Sequence, residues 1–310
     1  MAERPNWRNT RVLVTGACGF IGKHLTRRLR ELKAETYGAT DAGTDTTPLS
    51  CAPLSDSHLL TFDICSREAT QAAVDDIAPD VVFHLAAVGV AGPVADTLTA
   101  LRVNAGGTVN LLEALRGHGV QRIVLVGTSH EYGARDAAEG FDPFNAYAAS
   151  KIAAWAFGRM FWRQHGLPVV TVRPFQVYGP GQPEQALIPA AVGAALRGEA
   201  FEMTPGEQER DFVHVSDIVA GMTAAARAPG VAGKSLDLGT GVGRSVREAV
   251  DRIWELTDAT GEVQAGALPY RPGEAMHLVA DADRTAALTG WRAATPFEAG
   301  LSKLVQDLKD

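Results

Sequence analysis

Cysteine is scarce in this chain. Its 310 residues hold three, Cys18, Cys51 and Cys65, scattered without the close spacing of a metal knuckle. That argues against a disulfide framework and against a metal site, and for a reduced, cytoplasmic setting. Positive charge is in deficit too. The formal net charge of −7 makes nucleic acid and anionic membrane surfaces poor partners, and any anion site has to be built locally. No apolar run reaches membrane-spanning length. Met1 to Arg8 show no hydrophobic stretch behind their charges, so no secretory signal is read there. Internal repeats and low-complexity tracts are also missing. What is left is a soluble chain, 46% hydrophobic, able to bury the core of one large α/β domain or one and a half.

Glycine is plentiful, and three glycines organise the rest. Arg11 to Thr15 reads as a short buried strand, Gly16-Ala17-Cys18-Gly19 as a turn, and Phe20-Ile21-Gly22 as the start of a helix that continues to Leu29. In such a turn Gly16 lets the chain reverse, Gly19 lets the backbone approach a diphosphate, and Gly22 lets the helix pack close to the strand. The helix's free N–H groups and positive dipole end then face the phosphates. The next strand, Glu35 to Thr40, ends at Asp41, about twenty residues past the glycines, where an acid can take the ribose hydroxyls. A carboxylate there repels a 2′-phosphate. With Asp45 nearby and no arginine between Asp41 and Asp63, NAD(H) is favoured and NADP(H) is possible.

Beyond this unit strands and helices alternate, which points to a parallel sheet covered on both faces. Leu59 to Ile64, Asp80 to Ala87, Arg122 to Gly127 and Val169 to Arg173 read as strands. Ser66 to Ile77, Leu98 to Leu115 and Asn145 to His165 read as helices. Ala42 to Ser57 is the one long polar stretch of the first half. After Arg173, prolines break the rhythm. A helix from Ala186 to Arg197 and a charged turn from Pro205 to Arg210 lead to a strand-like Asp211 to Val215, another helix and a short strand, Ser235 to Leu238. The expected fold is α/β: a doubly wound parallel sheet of Rossmann type with a smaller C-terminal α/β substrate-binding lobe. The first comprises residues 1–175 with a return segment at about 211–243, the second 176–210 and 244–310.

Chemistry enters at the end of the fifth strand, in Thr128-Ser129-His130-Glu131-Tyr132-Gly133, and in Tyr147-Ala148-Ala149-Ser150-Lys151. Tyr147 and Lys151 are four residues apart on a helix and share a face. An unperturbed tyrosine holds its proton too tightly for transfer at neutral pH, and an adjacent ammonium stabilises the phenolate. Thr128 can hydrogen-bond the same substrate oxygen. His130 can donate to, or orient, a substrate hydroxyl or keto group, or it can be a loop histidine bonded to backbone. Glu131 is read as facing away and structural.

These blocks, in this order, resemble the extended short-chain dehydrogenase/reductase family, in its branch of nucleotide-sugar epimerases, dehydratases and 4-ketoreductases. The resemblance runs from Arg11 almost to the C-terminus. It is carried by Thr15-Gly16-x-x-Gly19-x-x-Gly22, Asp63-Ile64, His84-Leu85-Ala86-Ala87, Asn104-x-x-Gly107-Thr108-x-Asn110 and Tyr147-x-x-x-Lys151. It continues through Arg173-Pro174, Tyr178-Gly179-Pro180-Gly181-Gln182, Arg210-Asp211-Phe212-Val213-His214-Val215-x-Asp217 and Arg271-Pro272-Gly273-Glu274. The cofactor set it implies is Gly16, Gly19, Phe20, Ile21, Gly22, Asp41, Asp63, Ile64, Leu85, Ala86, Ala87, Asn104, Lys151 and Arg173. Tyr147, Lys151, Thr128 and His130 form the implied catalytic set. The substrate set is Ser129, Gln176, Arg210 and Arg271, with the two arginines on the diphosphate of a nucleotide sugar.

The resemblance also has departures. The 4,6-dehydratases resembling this chain carry Asp-Glu directly after the threonine, where this chain has Ser129 and His130, which argues against dehydration. Many relatives have Asn in place of Gln176. The strand-five motif favours a reductase of NDP-4-keto-6-deoxy sugars, and Asp41 favours a 4-epimerase that retains NAD; the balance falls on the reductase. A cofactor-binding protein without chemistry is a third reading, and the presence of Tyr147, Lys151 and Thr128 counts against it. A homodimer is expected through Leu98 to Leu115 and Asn145 to His165, where Trp155, Phe157, Met160, Phe161 and Trp162 offer more apolar surface than one sheet face needs.

Overall fold

Residues 7–41, 58–90, 96–134 and 140–309 are described by the computed structural model of the chain. The polar stretch Ala42 to Ser57, with Asp45 and Cys51, lies outside them. The first half runs β1 (Arg11–Thr15), α1 (Phe20–Glu31), β2 (Glu35–Thr40), β3 (Leu59–Thr61), α2 (Arg67–Ile77) and β4 (Val81–His84). It continues through α3 (Thr97–Ala100), a π-helical segment (Leu101–Gly106) and α4 (Gly107–Ala114), then β5 (Arg122–Val126), α5 (Ala146–His165) and β6 (Val169–Pro174). Next come β7 (Gln176–Tyr178), α6 (Leu187–Arg197), β8 (Phe201–Met203), β9 (Glu209–Arg210), β10 (Phe212–His214), α7 (Val215–Arg227) and β11 (Ser235–Leu238). The chain closes with β12 (Arg244–Ser245), α8 (Val246–Thr257), β13 (Val263–Ala265), β14 (His277–Leu278), α9 (Ala282–Thr289) and α10 (Phe297–Lys309).

Seven strands form one sheet in the order β11-β6-β5-β4-β1-β2-β3, and its pairings are parallel throughout. The chain builds outward from β1 and then crosses back to start again at β4. Where strand order reverses, the loops after the two strands diverge and leave a crevice at their carboxyl ends. The period of two along each strand splits the core in half. Val12 and Val14 pack with Leu25 and Leu29 of α1 and Met222 of α7. Leu13 packs on the other face with Val74 and Ile77 of α2 and Leu111 and Leu112 of α4. Burial of each such side chain contributes about 2 kcal/mol. A third cluster, with Ile188, Val192, Val250, Ile253, Leu301 and Leu304, joins α6, α8 and α10.

Three elements depart from their hydrophobic runs. β3 stops at Thr61 rather than Ile64, because Asp63 turns the chain and accepts the Cys65 N–H at 2.8 Å. β4 stops at His84, and Leu85 to Ala87 bend away as one wall of the crevice. The helix expected from Leu98 to Leu115 forms, but its middle is π-helical, and that wider turn carries Asn104. The acids of the block from Arg210 to Asp217 are staples. Asp211 accepts from the Thr240 and Gly241 N–H groups, each at 2.8 Å, and Asp217 from those of Ala294 and Thr295 at 3.1 and 3.0 Å.

Candidate active site

The glycine turn is shaped by backbone contacts. Gly16 has φ of +71°, and a β-carbon there would lie 2.8 Å from the Ala86 nitrogen, so the turn after β1 touches the loop after β4. Its N–H donates to the Ala39 carbonyl at 2.9 Å, which sets the turn beside the end of β2. Gly19 caps α1 without a side-chain hydrogen bond, and no acid occupies that helix's first turn. Elsewhere the chain closes helix starts: Ser66 with Glu68 at α2, and Ser245 with Glu248 at α8. The N–H groups around Phe20 and Ile21 are thus left for an anion, which fits the diphosphate of NAD. Asp41 is exposed at the end of β2, two residues beyond the carbonyl that anchors Gly16, a position that suits ribose hydroxyls.

The loop after β3, with Asp63 and Ile64 of the expected cofactor set, is held by α4. Asn110 donates to the carbonyls of Ile64 and Cys65 at 3.1 and 3.0 Å. Gly107 leaves room for Ile64, whose Cγ2 would lie 2.8 Å from a β-carbon there. Asn104, expected at the cofactor, is buried and hydrogen-bonded within the protein. Its amide nitrogen donates to Val88 O and Ser150 Oγ at 3.1 and 2.9 Å, and its oxygen accepts the Val88 N–H at 2.8 Å. It ties the loop after β4 to α5.

His84 sits in a directed chain of hydrogen bonds. Thr108 donates to Asn104 O at 2.6 Å, so its oxygen accepts from His84 Nε2 at 3.0 Å; Nδ1, 2.7 Å from Thr15 Oγ1, is left as an acceptor. The imidazole is therefore neutral. Burial, helped by the charge of Lys151, pushes its pKa down to about 3. The unfolded chain takes up this proton first, so the contribution is complete above pH 6.5 and is lost as pH falls toward 3. Chemical denaturation across that window is expected to show a loss of up to roughly 5 kcal/mol from this group, and His84→Gln should flatten the slope.

The catalytic candidates converge at the end of β5. Thr128 is the N-cap of a 3₁₀ turn, Ser129–Glu131, in a capping box with Glu131. Burial, the larger effect, and the charge of Glu131 raise the pKa of the Tyr147 phenol, and the nearby Thr128 hydroxyl lowers it. Lys151 is buried one turn along α5. Desolvation pulls its pKa down to about 8, opposed by Glu131, so at neutral pH it stays an ammonium at a cost of about 3 kcal/mol. His130 packs against Phe144, ring centroids 5.6 Å apart, and stands edge-on to Tyr147 at 6.5 Å. Burial, then Arg210 and Arg271, push its pKa down to about 4. It is a neutral imidazole, able to orient a hydroxyl and unsuited to act as a cationic acid.

Arg173, also expected at the cofactor, is paired within the protein. Its Nε donates to Glu131 Oε2 at 2.7 Å, with both side chains buried. Its guanidinium lies 4.8 Å from the Phe141 ring centroid and 5.4 Å from that of Tyr132. Ser129 is buried under the 3₁₀ turn, and Gln176 lies in β7 with its backbone N–H on Asp211 O at 2.9 Å. Arg210 is buried, with Nη1 on the carbonyls of Glu209 and Ala275 at 2.8 and 2.7 Å and Nη2 paired with Glu274. Arg271 is exposed, and its turn meets Phe144, whose Cβ would lie 3.4 Å from a β-carbon on Gly273. The structure thus gathers Tyr147, His130, Phe144, Arg210 and Arg271 around one cleft. Phe144 carried no signal in the sequence, and Glu274 was visible only as the end of the Arg-Pro-Gly-Glu block.

Residues 12–239 match the NAD dependent epimerase/dehydratase family. The chain is 31% identical to the UDP-glucose 4-epimerase of Mycolicibacterium smegmatis, over 96% of this chain and 97% of that one. It is 28% identical to a probable dTDP-glucose 4,6-dehydratase of Sinorhizobium fredii, over 96% and 92%. Its fold superimposes on the Thermus thermophilus UDP-glucose 4-epimerase complexed with NAD at a TM-score of 0.85 and 27% identity, covering 97% of this chain and 99% of that one. Among the described residues no helix is long and apolar enough to cross a membrane. The matched span contains the glycine turn, Tyr147 and Lys151 alike: the chain belongs to the NAD dependent epimerase/dehydratase family.

Proposed function

We propose that this protein is an NAD-dependent oxidoreductase acting at C4 of a nucleotide-diphosphate sugar, and that its reaction is reduction of an NDP-4-keto-6-deoxyhexose. The observation that carries this reading is the convergence of Thr128, capping the turn after β5, with Tyr147, whose pKa its hydroxyl lowers, and with Lys151 buried one turn along α5. NADH, when bound, supplies the hydride. Tyr147 delivers the proton to the C4 oxygen, Thr128 orients that oxygen, and the Lys151 ammonium stabilises the phenolate left behind. Arg210 and Arg271 hold the diphosphate. Dehydration across C5 and C6 needs an acid and a base beside the hydride site; Ser129 and the neutral His130 occupy those positions.

A second reading, 4-epimerisation, is favoured by the carboxylate of Asp41 and by the 31% identity to a UDP-glucose 4-epimerase. Extraction of cofactor from freshly purified protein separates the two. A reductase is expected to be isolated without stoichiometric NAD and to oxidise NADH with NDP-4-keto-6-deoxyhexoses. Stoichiometric retained NAD would overturn reduction in favour of epimerisation. A homodimer fits the exposed side chains of Leu98, Leu101 and Phe157, 75%, 51% and 41% accessible, on neighbouring α3, π-helical and α5 surfaces. Of the other apolar residues of α5, Phe161 is in the core, Trp155 bonds Ser235 Oγ at 3.0 Å and Trp162 covers Gly233. Sedimentation velocity reads the assembly directly.

A further inference from the structure

The reaction as described leaves one group at the centre of the site unused. The carboxylate of Glu131 is wholly buried. Oε1 accepts the Thr128 N–H at 2.9 Å, and Oε2 accepts from Arg173 Nε at 2.7 Å. The preceding backbone makes room for it, because a β-carbon on Gly127 would overlap Oε1 and lie 3.3 Å from Arg173 Cγ. Arg173 is itself walled in by the rings of Tyr132, Phe141 and Trp155, and Tyr132 is fixed by its hydroxyl on Asp237 Oδ1 at 2.8 Å. The end of β5 is thus bolted to β6 and β11 through one dry ion pair.

We propose that Glu131 is a positioning residue of the active site: it locks Thr128 against Tyr147 and supplies the counter-charge of Lys151, while Arg173 holds that carboxylate in place. A buried ion pair between elements adds little net stability over an apolar pair of the same shape, so stability alone does not account for it. The groups around Lys151 single out the role. His84 of β4 is neutral and Tyr147 of α5 is a phenol. Beyond Glu131 lie Arg173 of β6 and Asp237 of β11, which faces Tyr132 and Arg173. Glu131 is the carboxylate whose field reaches both Lys151 and Tyr147, and it favours the protonated form of each. The catalytic meaning of this rests on the reading of Tyr147 as the proton donor: Glu131 keeps the donor loaded and its lysine charged.

The chain has six lysines, few enough to follow one of them by NMR in protein labelled with [¹³C]lysine and assigned with Lys151→Arg. In the wild type the Lys151 ¹³Cε signal is expected to titrate near pH 8. In Glu131→Gln the midpoint should fall by about one unit, and in Glu131→Gln/Arg173→Met by less but in the same direction. The double variant removes both charges together and covers the case in which the single variant does not fold. An unchanged midpoint in either folded variant would overturn the proposal whatever the reaction is. Failure of the functional reading shows elsewhere, as wild-type turnover in Tyr147→Phe, and leaves the lysine titration intact.

Discussion

Tyr147→Phe is expected to cut turnover by about 10²- to 10⁴-fold, the range over which a positioned acid or base acts, while NAD binds as before. The substitution removes one oxygen and leaves the ring edge-on to His130, so the helix face keeps its shape. Thr128 loses its partner but keeps its place, because its backbone N–H remains on Glu131. What is lost is the atom that exchanges a proton with the sugar oxygen. Hydride transfer to a carbonyl without that proton leaves an alkoxide, and beside Tyr147 the Lys151 ammonium is a remaining acid of suitable strength. Steady-state kcat with an NDP-4-keto-6-deoxyhexose, and NAD titration followed by tryptophan fluorescence, separate chemistry from binding. Equal turnover in the two proteins would remove Tyr147 from the mechanism. A scaffold that binds cofactor without chemistry would show no turnover to lose.

The parts of this site that could be read from sequence are those in which local spacing sets geometry. A three-residue rhythm of glycines fixes a turn, and a four-residue spacing puts Tyr147 and Lys151 on one helical face. Alternating strands and helices imply a reversal point at which a dinucleotide lies. Asn104 and Arg173 carry contacts that spacing does not encode. Both are polar residues beside cofactor-lining blocks, and a polar residue there reads as a ligand. Which way each points depends on partners distant in the chain: Ser150 on another helix for Asn104, Glu131 across two strands for Arg173. No periodicity encodes such pairs. Glu131 was read as facing away and structural; its bond to the backbone of Thr128 required the tertiary structure. His130 is similar: its neutral state follows from burial first and then from Arg210 and Arg271, both far along the chain.

Gly22→Ala is expected to abolish tight NAD binding and to destabilise the protein, whereas Gly19→Ala should weaken binding alone. The difference lies in what a β-carbon would meet. On Gly22 it would overlap the Gly16 carbonyl oxygen and lie 2.9 Å from that of Ala17. Both are backbone atoms of the turn, and neither can swing aside as a side chain could. Either α1 moves off the sheet or the turn opens, and overpacking of this kind costs about 1–3 kcal/mol. An opened turn also pulls the first N–H groups of α1 away from the diphosphate, and losing two charge-assisted bonds of roughly 1.5–3 kcal/mol each weakens binding by 100-fold or more. On Gly19 the nearest atom, again the Gly16 carbonyl oxygen, is 3.2 Å away, and φ of −70° suits any residue. Alanine there leaves the protein's own packing nearly intact and obstructs only a ligand pressed against the backbone. Thermal melts and NAD titrations on the two variants decide the matter. Loss of stability in Gly19→Ala equal to that in Gly22→Ala would mean that the turn is a packing device, with no space reserved for phosphate.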